Sequence, residues 1–300
     1  MMKETYRLVL VLALCTGGLL AQSTGTIQGI VTDPSGAAVP KAAITVRNLA
    51  TGEERSFTTD ESGLYAVPSL PVGRYSVTAK APGLQTTAVN DVVLEVSRVV
   101  QEDFRLAVAA AAQTVEIAAT APVINTATTS VGTTVDQRTV QEIPLNGRHF
   151  VDLGLLTAGT VAPPASSYLG APLRGQGSFA IISAGNREDA TNFMINGINL
   201  NDMAQNQITF QPSINTVQEF NLDNSTYSAQ YGRNSGAIVN IATRSGTNAY
   251  HGEVFDYLRN NFFDARNYFN RLGQPQSPFI RNNFGADAGG PIRHDKTFFP

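Results

Sequence analysis

Short segments in which apolar and polar residues alternate follow one another from about residue 24 to residue 106. Alternation with a period of two is typical of strands that bury one face. The clearest of these segments are residues 26–31, 43–46, 75–79 and 92–94. The breaks between them are rich in glycine, proline, aspartate and serine, which suit tight turns. About seven strands in residues 24–106 predict a β-sandwich of the immunoglobulin or transthyretin type.

Two of the predicted turns carry an aspartate, Asp33 and Asp60, each followed by a glycine at the end of the turn. A carboxylate in such a turn usually accepts hydrogen bonds from its own backbone. A bound cation is the alternative. We expect the turn role for both residues.

Residues 107–130 are dominated by small side chains and hold few large apolar groups. Little core burial would offset the entropy of ordering them, so we expect a linker between domains. One short island in this linker is β-prone and could also be the first strand of the next domain. It consists of Thr114, Val115, Glu116, Ile117 and Ala118.

Residues 131–247 predict a second, α+β domain. Asn196-Gly197 is a strong hairpin signal, because both residue types tolerate positive φ. A turn over residues 142–148 is expected to lead into a short amphipathic helix, with Phe150, Leu153 and Leu156 on its packed face.

The end of this domain carries the strand-like residues Ile238, Val239 and Ile241. Gly232 and Gly236 precede them, and we expect both glycines to permit tight backbone geometry around a turn. The loops at residues 178–189 and 201–207 are rich in Asn, Gln and Ser and are candidates for ligand contact.

Residues 248–300 hold two segments, 250–260 and 279–292, in which aromatic or aliphatic residues partly alternate with polar ones. Such a pattern suits strands with lipid on one side. Unpaired strand edges are costly in hydrocarbon, so a hairpin cannot form a pore by itself. We therefore expect the first strands of an incomplete transmembrane β-barrel, in a fragment or truncated form of a longer protein. Arg174 and Arg244 are candidates to pair with carboxylates of its inner wall, or to be solvated surface residues.

The first 21 residues have the features of a secretory signal peptide: Lys3 and Arg7, an apolar run over residues 8–14, and small residues up to Ala21. The apolar run is too short for a retained membrane anchor. Cys15, the single cysteine, would be removed with this peptide. The mature chain would then have no thiol for a disulfide, a zinc site or a nucleophile.

Composition excludes further classes of function. Only 15% of residues are charged, with 21 basic against 24 acidic residues, and no basic run suits nucleic acid. No nucleophile–base motif or cluster of metal ligands is recognisable, and Ser235 lacks the strand–elbow–helix setting of hydrolases. We expect no enzyme activity, no catalytic residue, no metal site and no cofactor.

Three parts of the sequence resemble known families. Residues 29–42, 59–65 and 70–75 resemble, in order, the carboxypeptidase regulatory-like domain; the segment holds no histidine, so peptidase chemistry is not implied. Residues 131–247 resemble the plug domain of TonB-dependent outer-membrane receptors. Residues 279–292 resemble an early barrel strand of the Oar-like subgroup of these receptors. The plug resemblance rests on a signature that includes Arg174, Gly175, Asn196, Gly197, Tyr231, Gly232, Gly236 and Asn240.

This resemblance implies an outer-membrane receptor for energy-coupled uptake of a ligand. Residues 114–118 would be its TonB box, a strand that adds to the edge of a TonB-type energy-transducing protein through backbone hydrogen bonds. The other partners implied are outer-membrane lipid and an imported ligand such as a saccharide, an iron chelate or a peptide. The alternative function is an exported carbohydrate- or protein-binding sandwich without transport, which exposed aromatic residues on the sandwich would favour.

Overall fold

A computed structural model describes residues 24–108, 115–118, 129–145, 147–163, 180–203, 206–232, 234–266, 268–269 and 273–300. These residues form two compact units, which are considered separately. The first holds residues 24–49 and 54–243, and the second holds residues 50–53 and 244–300. No helix in the described ranges has the length and apolar character needed to cross a membrane.

The N-terminal part of the first unit is a β-sandwich, as predicted. Strands are numbered in chain order. One sheet has the order β4-β1-β7, with β8 also paired to β1; the bounds are β1 Thr24–Thr32, β4 Leu64–Pro71, β7 Val99–Gln101 and β8 Phe104–Arg105. The other sheet has the order β3-β2-β5-β6-β9; the bounds are β2 Ala43–Asn48, β3 Glu54–Thr58, β5 Gly73–Lys80, β6 Thr87–Leu94 and β9 Val115–Ala118. The sequence indicated about seven strands; the two sheets hold nine described strands, and the additions are the very short β8 and the strand β9 from the predicted linker.

The core of the sandwich lies between its two sheets. Its side chains come from alternate positions of the strands, as in β1, where buried and half-buried residues alternate along the whole strand. The largest fully buried members include Ile27, Ile44, Tyr75 and Leu94. This alternation explains why the strand pattern was readable from the sequence.

The second part of the first unit, called the plug domain below, is built on a mixed sheet of order β10-β15-β16-β13-β14. The bounds are β10 Val131–Asp136, β13 Asn192–Ile195, β14 Ile198–Asn199, β15 Val217–Ser225 and β16 Ile238–Thr243. A two-stranded sheet joins β11 Thr160–Val161 to β12 Ile182–Ser183. The helices among its described residues are α1 Gln137–Glu142 and two 3₁₀ helices, Phe150–Leu156 and Ile214–Thr216.

The expected helix after residue 148 is present as the 3₁₀ helix, with one error in its packed face. Phe150 and Leu153 are buried, but Leu156 is 46% exposed. Leu156 is the last residue of the helix, and the buried positions are completed instead by Val151 and Gly154. A Cβ on Gly154 would lie 2.2 Å from Cδ1 of Ile181, so a side chain there would require the Ile181 side chain to move.

Asn196 and Gly197 form the turn between β13 and β14, with φ values of 48° and 81°. Ile195 pairs with Ile198 across this turn, which is the two-residue hairpin that the dipeptide favours. The Asn196 side chain also holds the end of β16. Its Nδ2 donates to Oγ1 of Thr243 at 2.7 Å, and its Oδ1 accepts from the Thr243 backbone N–H at 3.0 Å.

The second unit is an antiparallel sheet of β17 His251–Asn260, β18 Ile280–Arg293 and β19 Thr297–Phe299. β17 and β18 pair over ten positions, from His251↔Gly289 to Asn260↔Ile280. The described strands form no closed barrel, and the fold is mainly β, as expected.

Candidate functional site

The segment proposed from sequence as a TonB box lies partly in strand β9. Val115, Glu116, Ile117 and Ala118 form this strand, while Thr114 lies outside the described residues. β9 pairs in parallel with β6, in the register Thr87↔Val115 to Asn90↔Ala118. It stands at the end of the strand order, so one of its edges faces no other described strand. The structure therefore shows a short edge strand; its use as a TonB box stays a prediction.

The sandwich contacts the plug domain through the turn at residues 95–98, between β6 and β7. The backbone N–H of Val96 donates to Oε2 of Glu219 on β15 at 2.9 Å. Nη1 of Arg98 lies 3.3 Å from Oδ1 of Asp223, also on β15. Arg98 Nη1 donates to Oγ of Ser130 as well, at 3.1 Å. We call this contact the seam.

Asp223 is buried and Glu219 is half-buried, and this burial changes the acidity of both carboxylates. Burial raises the pKa of Glu219 to about 7, against the hydrogen bond from Val96, and the Glu95 and Asp136 carboxylates nearby raise the pKa further. Burial also raises the pKa of Asp223, while Arg98 opposes this rise. The seam therefore holds one carboxylate paired with a cation and one that relies on a backbone N–H.

Sequence reasoning missed the seam entirely. Glu219 and Asp223 lie at alternate positions of the segment Val217–Ser225, a pattern typical of a strand face that meets solvent. That face instead meets the sandwich turn. No local signal in the sequence marks Arg98 as the partner of Asp223, because these two residues are far apart along the chain.

The plug signature residues fall into several places. Arg174 and Gly175 lie outside the described residues. Asn196 and Gly197 make the hairpin turn described above. Tyr231 contacts the seam, with its hydroxyl 3.2 Å from Oγ of Ser97. The structure does not bring the described members of this signature together into one site.

Asn240 lies in the middle of the plug sheet. It is buried and pairs in register with Asn221 on one side and Met194 on the other. Its position is that of a structural residue within the sheet.

The two glycines that precede β16, Gly232 and Gly236, differ in how closely other atoms approach them. A Cβ on Gly236 would lie 2.8 Å from the carbonyl oxygen of Ala190, which accepts a hydrogen bond from the Gly236 N–H at 3.0 Å. A Cβ on Gly232 would have no heavy atom within 4 Å. Gly232 is also absent from the positive-φ glycines. Close backbone approach thus requires glycine at 236, and nothing in the described structure requires it at 232.

Asp33 and Asp60 adopt the same turn geometry. Oδ1 of Asp33 accepts from the backbone N–H of Ser35 and of Ala37, each at 2.9 Å. Oδ1 of Asp60 accepts from Ser62 at 2.8 Å and Leu64 at 2.9 Å. These bonds give both carboxylates the structural role expected from the sequence. Within the described ranges, no group of three or more His, Cys, Asp or Glu side chains could hold a metal ion.

The hairpin of β17 and β18 has two chemically different faces. Glu253, Tyr257 and Arg259 alternate along β17 with the exposed residues Val254 and Leu258. On β18 the exposed face carries Phe284 and Ala286, whereas Asp287 lies on the other face. Asp256, Asn260 and Asn282 are polar exceptions on the largely apolar face, and Phe255 is an apolar exception on the other face.

Arg244 pairs with the carboxylates on the polar face of this hairpin, as the sequence suggested. Its Nη1 lies 3.3 Å from Oδ1 of Asp287 and 3.9 Å from Oε2 of Glu253. Glu253 and Asp287 are directly opposite each other in the register. One guanidinium therefore offsets the repulsion of two facing carboxylates.

Two family descriptions match the chain. "Carboxypeptidase regulatory-like domain" matches residues 26–107, and "Outer membrane beta barrel domain" matches residues 242–299. The first match falls on the sandwich and the second on the two-faced hairpin.

Among curated proteins, the TonB-dependent transporter Oar of Myxococcus xanthus is 25% identical over 99% of this chain. The chain spans 28% of the length of that relative.

Among solved structures, similarity is partial. A putative carbohydrate binding protein from Bacteroides uniformis is 23% identical, with a TM-score of 0.24 over 27% of this chain and 40% of its own. Catechol 1,2-dioxygenase from Pseudomonas arvilla is 16% identical, with a TM-score of 0.27 over 32% of this chain and 55% of its own. Scores this low bear on neither fold nor function.

The sandwich, the two-faced hairpin and the similarity to Oar along almost the whole chain agree with one another. The chain is thus similar along almost its whole length to a TonB-dependent transporter, and its C-terminal hairpin matches an outer-membrane β-barrel domain. Both similarities indicate the outer membrane as its location.

Proposed function

We propose that this chain is the N-terminal region of a receptor that takes up a ligand across the outer membrane with energy supplied by a TonB-type protein. The observation that carries the proposal is the two-faced hairpin of β17 and β18. An apolar face opposite a charged face is what a barrel wall needs between lipid and a polar lumen. Neither an enzyme nor a soluble binding module requires it.

The β-prone segment that forms β9 supports the coupling step. A strand-addition partner recognises backbone N–H and C=O groups, so it needs a segment that can become extended more than it needs particular side chains. Val115–Ala118 is such a segment, and it precedes the plug domain in the chain. A pull on it would reach the plug domain through β10.

The ligand belongs to one of the classes expected from the resemblance: a saccharide, an iron chelate or a peptide. No covalent chemistry is part of this function. The described loop residues 180–189 and 201–203 belong to the stretches rich in Asn, Gln and Ser that we expect to contact ligand.

A binding module without transport is the weaker candidate. Exposed aromatic residues on the sandwich would have favoured it. Tyr65, Tyr75 and Phe104 are instead buried in the sandwich core, and Phe57 is packed against it.

The test is uptake by cells that express the full-length protein. A ferric chelate, an oligosaccharide and a peptide, each radiolabelled, serve as probes. Ile117→Pro should abolish uptake because proline cannot donate a backbone hydrogen bond in a strand, whereas Ile117→Val keeps the β-propensity and should leave uptake within about twofold. A protonophore should abolish wild-type uptake. Uptake that is unaffected by both the protonophore and Ile117→Pro would overturn the proposed function.

A further inference from the structure

The edge of β6 is already occupied in this structure. β5 pairs with one side of β6 and β9 pairs with the other. The β9 pairing uses four consecutive positions of β6, Thr87 to Asn90. The sandwich thus holds residues 115–118 by the kind of strand addition that the proposed energy-transducing partner would use.

Burial along β6 marks the same stretch. Thr87, Ala88 and Val89 are all buried, although side chains alternate between the two faces of a strand. From Asp91 to Leu94 the strand returns to alternation of exposed and buried residues. Val89 belongs to the sandwich core, whereas Ala88 does not. The side chains of this stretch are therefore packed on both faces of the sheet, and its backbone edge is the one that pairs with β9.

The chain around β9 limits what a docked segment can do. Val108 is held to the sandwich by an isolated β-bridge to Leu84. β9 starts only seven positions after Val108, at Val115. A pull on β9 while it is paired with β6 is borne by the sandwich. It reaches β10 of the plug domain only after β9 has left β6, when the released chain can extend by about 3.3–3.6 Å per residue.

We propose that the β6 edge is an internal docking site for residues 115–118 and that docking there and coupling to the energy-transducing partner exclude each other. This inference rests on the proposed function. The sandwich then acts as a gate on coupling, because only the fraction of molecules with β9 released is competent to bind the partner.

A reversible cross-link tests the proposal in the full-length protein in outer-membrane vesicles. Ala88 and Glu116 are register partners, which places them in the Cα range that a disulfide needs. The variant Ala88→Cys/Glu116→Cys locks β9 on β6 when oxidised. The matched control is Thr45→Cys/Thr78→Cys, which joins register partners of β2 and β5 and leaves β9 free. Cys15 is the only cysteine of these 300 residues; any cysteine elsewhere in the full-length protein is changed to Ser in all variants.

Two readouts are made on the same samples: disulfide formation, and binding of the purified C-terminal domain of the host's TonB-type protein. We expect the 88/116 disulfide to form readily and oxidation to lower binding at least tenfold, with full recovery on reduction. The 45/78 control should bind equally well oxidised and reduced. Recovery on reduction distinguishes a locked segment from a misfolded variant.

Either of two results would overturn the inference. Failure of the 88/116 disulfide to form would show that β9 does not dock on β6. Undiminished binding by the oxidised protein would show that the partner uses the outer edge of a docked β9. By contrast, absence of binding in the wild type and in every reduced variant would count against the proposed function, while disulfide formation would still report docking.

Discussion

Arg98 and Asp223 form an ion pair across the seam between the sandwich and the plug domain. Nη1 of Arg98 lies 3.3 Å from Oδ1 of Asp223, and the two side chains are only 12% and 5% exposed. A buried charge that loses its partner is strongly unfavourable. The pair therefore makes the arrangement of these two domains specific, whatever its net contribution to stability.

The first prediction concerns this pair. Arg98→Ala leaves the Asp223 carboxylate buried without its cation, and we expect a loss of about 3–5 kcal/mol in the free energy of unfolding. Adding Asp223→Asn to that variant should recover part of the loss, because the uncompensated charge is removed. Urea unfolding of the purified protein measures both changes.

Arg47 provides the matched control for Arg98. It pairs with Glu54 at 3.6 Å, but both side chains are more than half exposed. Arg47→Ala should therefore cost less than about 1 kcal/mol. Equal losses for the two arginine variants would contradict the assignment of a buried ion pair at the seam.

The second prediction is a pH dependence set by Glu219. Its pKa is about 7 in the folded protein against 4.5 for the ordinary side chain. Between these values the folded state keeps a proton that the unfolded state releases, so the free energy of unfolding falls as the pH rises through this window. The loss from Glu219 amounts to roughly 3 kcal/mol at 1.36 kcal/mol per pKa unit. It is complete slightly above pH 7.

Glu219→Gln should remove this dependence, because the amide cannot ionise. We expect the variant to be more stable than wild type at pH 8 and to show a flatter profile between pH 4.5 and 7. Unfolding midpoints at several pH values measure this. Glu142→Gln is the control, since Glu142 is an exposed partner of Arg138 on α1. Parallel profiles for wild type and Glu219→Gln would rule out the role given to Glu219.

The third prediction separates Gly232 from Gly236. Gly236→Ala forces a Cβ to within 2.8 Å of the Ala190 carbonyl oxygen, and we expect a destabilisation of about 1–3 kcal/mol. Gly232→Ala meets open space and should change stability by less than about 0.5 kcal/mol. Thermal unfolding of the two variants side by side provides the measurement, and the reverse order of effects would show that the plug turn is built differently.

The fourth prediction concerns Arg244 and the two carboxylates opposite it. Arg244→Ala leaves Glu253 and Asp287 facing each other without the guanidinium. We expect this variant to give several-fold less heat-modifiable protein in the outer membrane, and Arg244→Lys to give an intermediate amount because it keeps the charge but not the fork of donors. Arg187, with an 86% exposed side chain, is the control: Arg187→Ala should leave the amount unchanged. Normal assembly of Arg244→Ala would show that the cation is dispensable.

Local rules predicted the local features of the fold. The strands of the sandwich followed from alternation, and the Asn196-Gly197 hairpin followed from two residues that tolerate positive φ. The same kind of reasoning missed α1, although Asp136 caps it by accepting from the Thr139 N–H at 3.0 Å. This helix has only six residues, too few for a helical period to stand out.

Long-range pairings could not be predicted from the sequence. Residues 107–130 were expected to be a linker, yet Val115–Ala118 joins the sandwich sheet. Glu219 and Asp223 have the spacing of a solvent-facing strand, and only the folded chain shows that Val96 and Arg98 meet them. Such contacts depend on which domain faces pack together, and a hydrophobic pattern carries no information on that choice.

The central claim is that residues 115–118 couple the protein to an energy-transducing partner. A photo-reactive benzoyl-phenylalanine in place of Ile117, in living cells that express the full-length protein, tests it most directly. The control is the same substitution at Val161, an exposed residue of the short strand β11. We predict that ultraviolet light gives an adduct with the TonB-type protein from position 117 and none from position 161. No adduct from position 117, or equal adducts from both positions, would contradict the account.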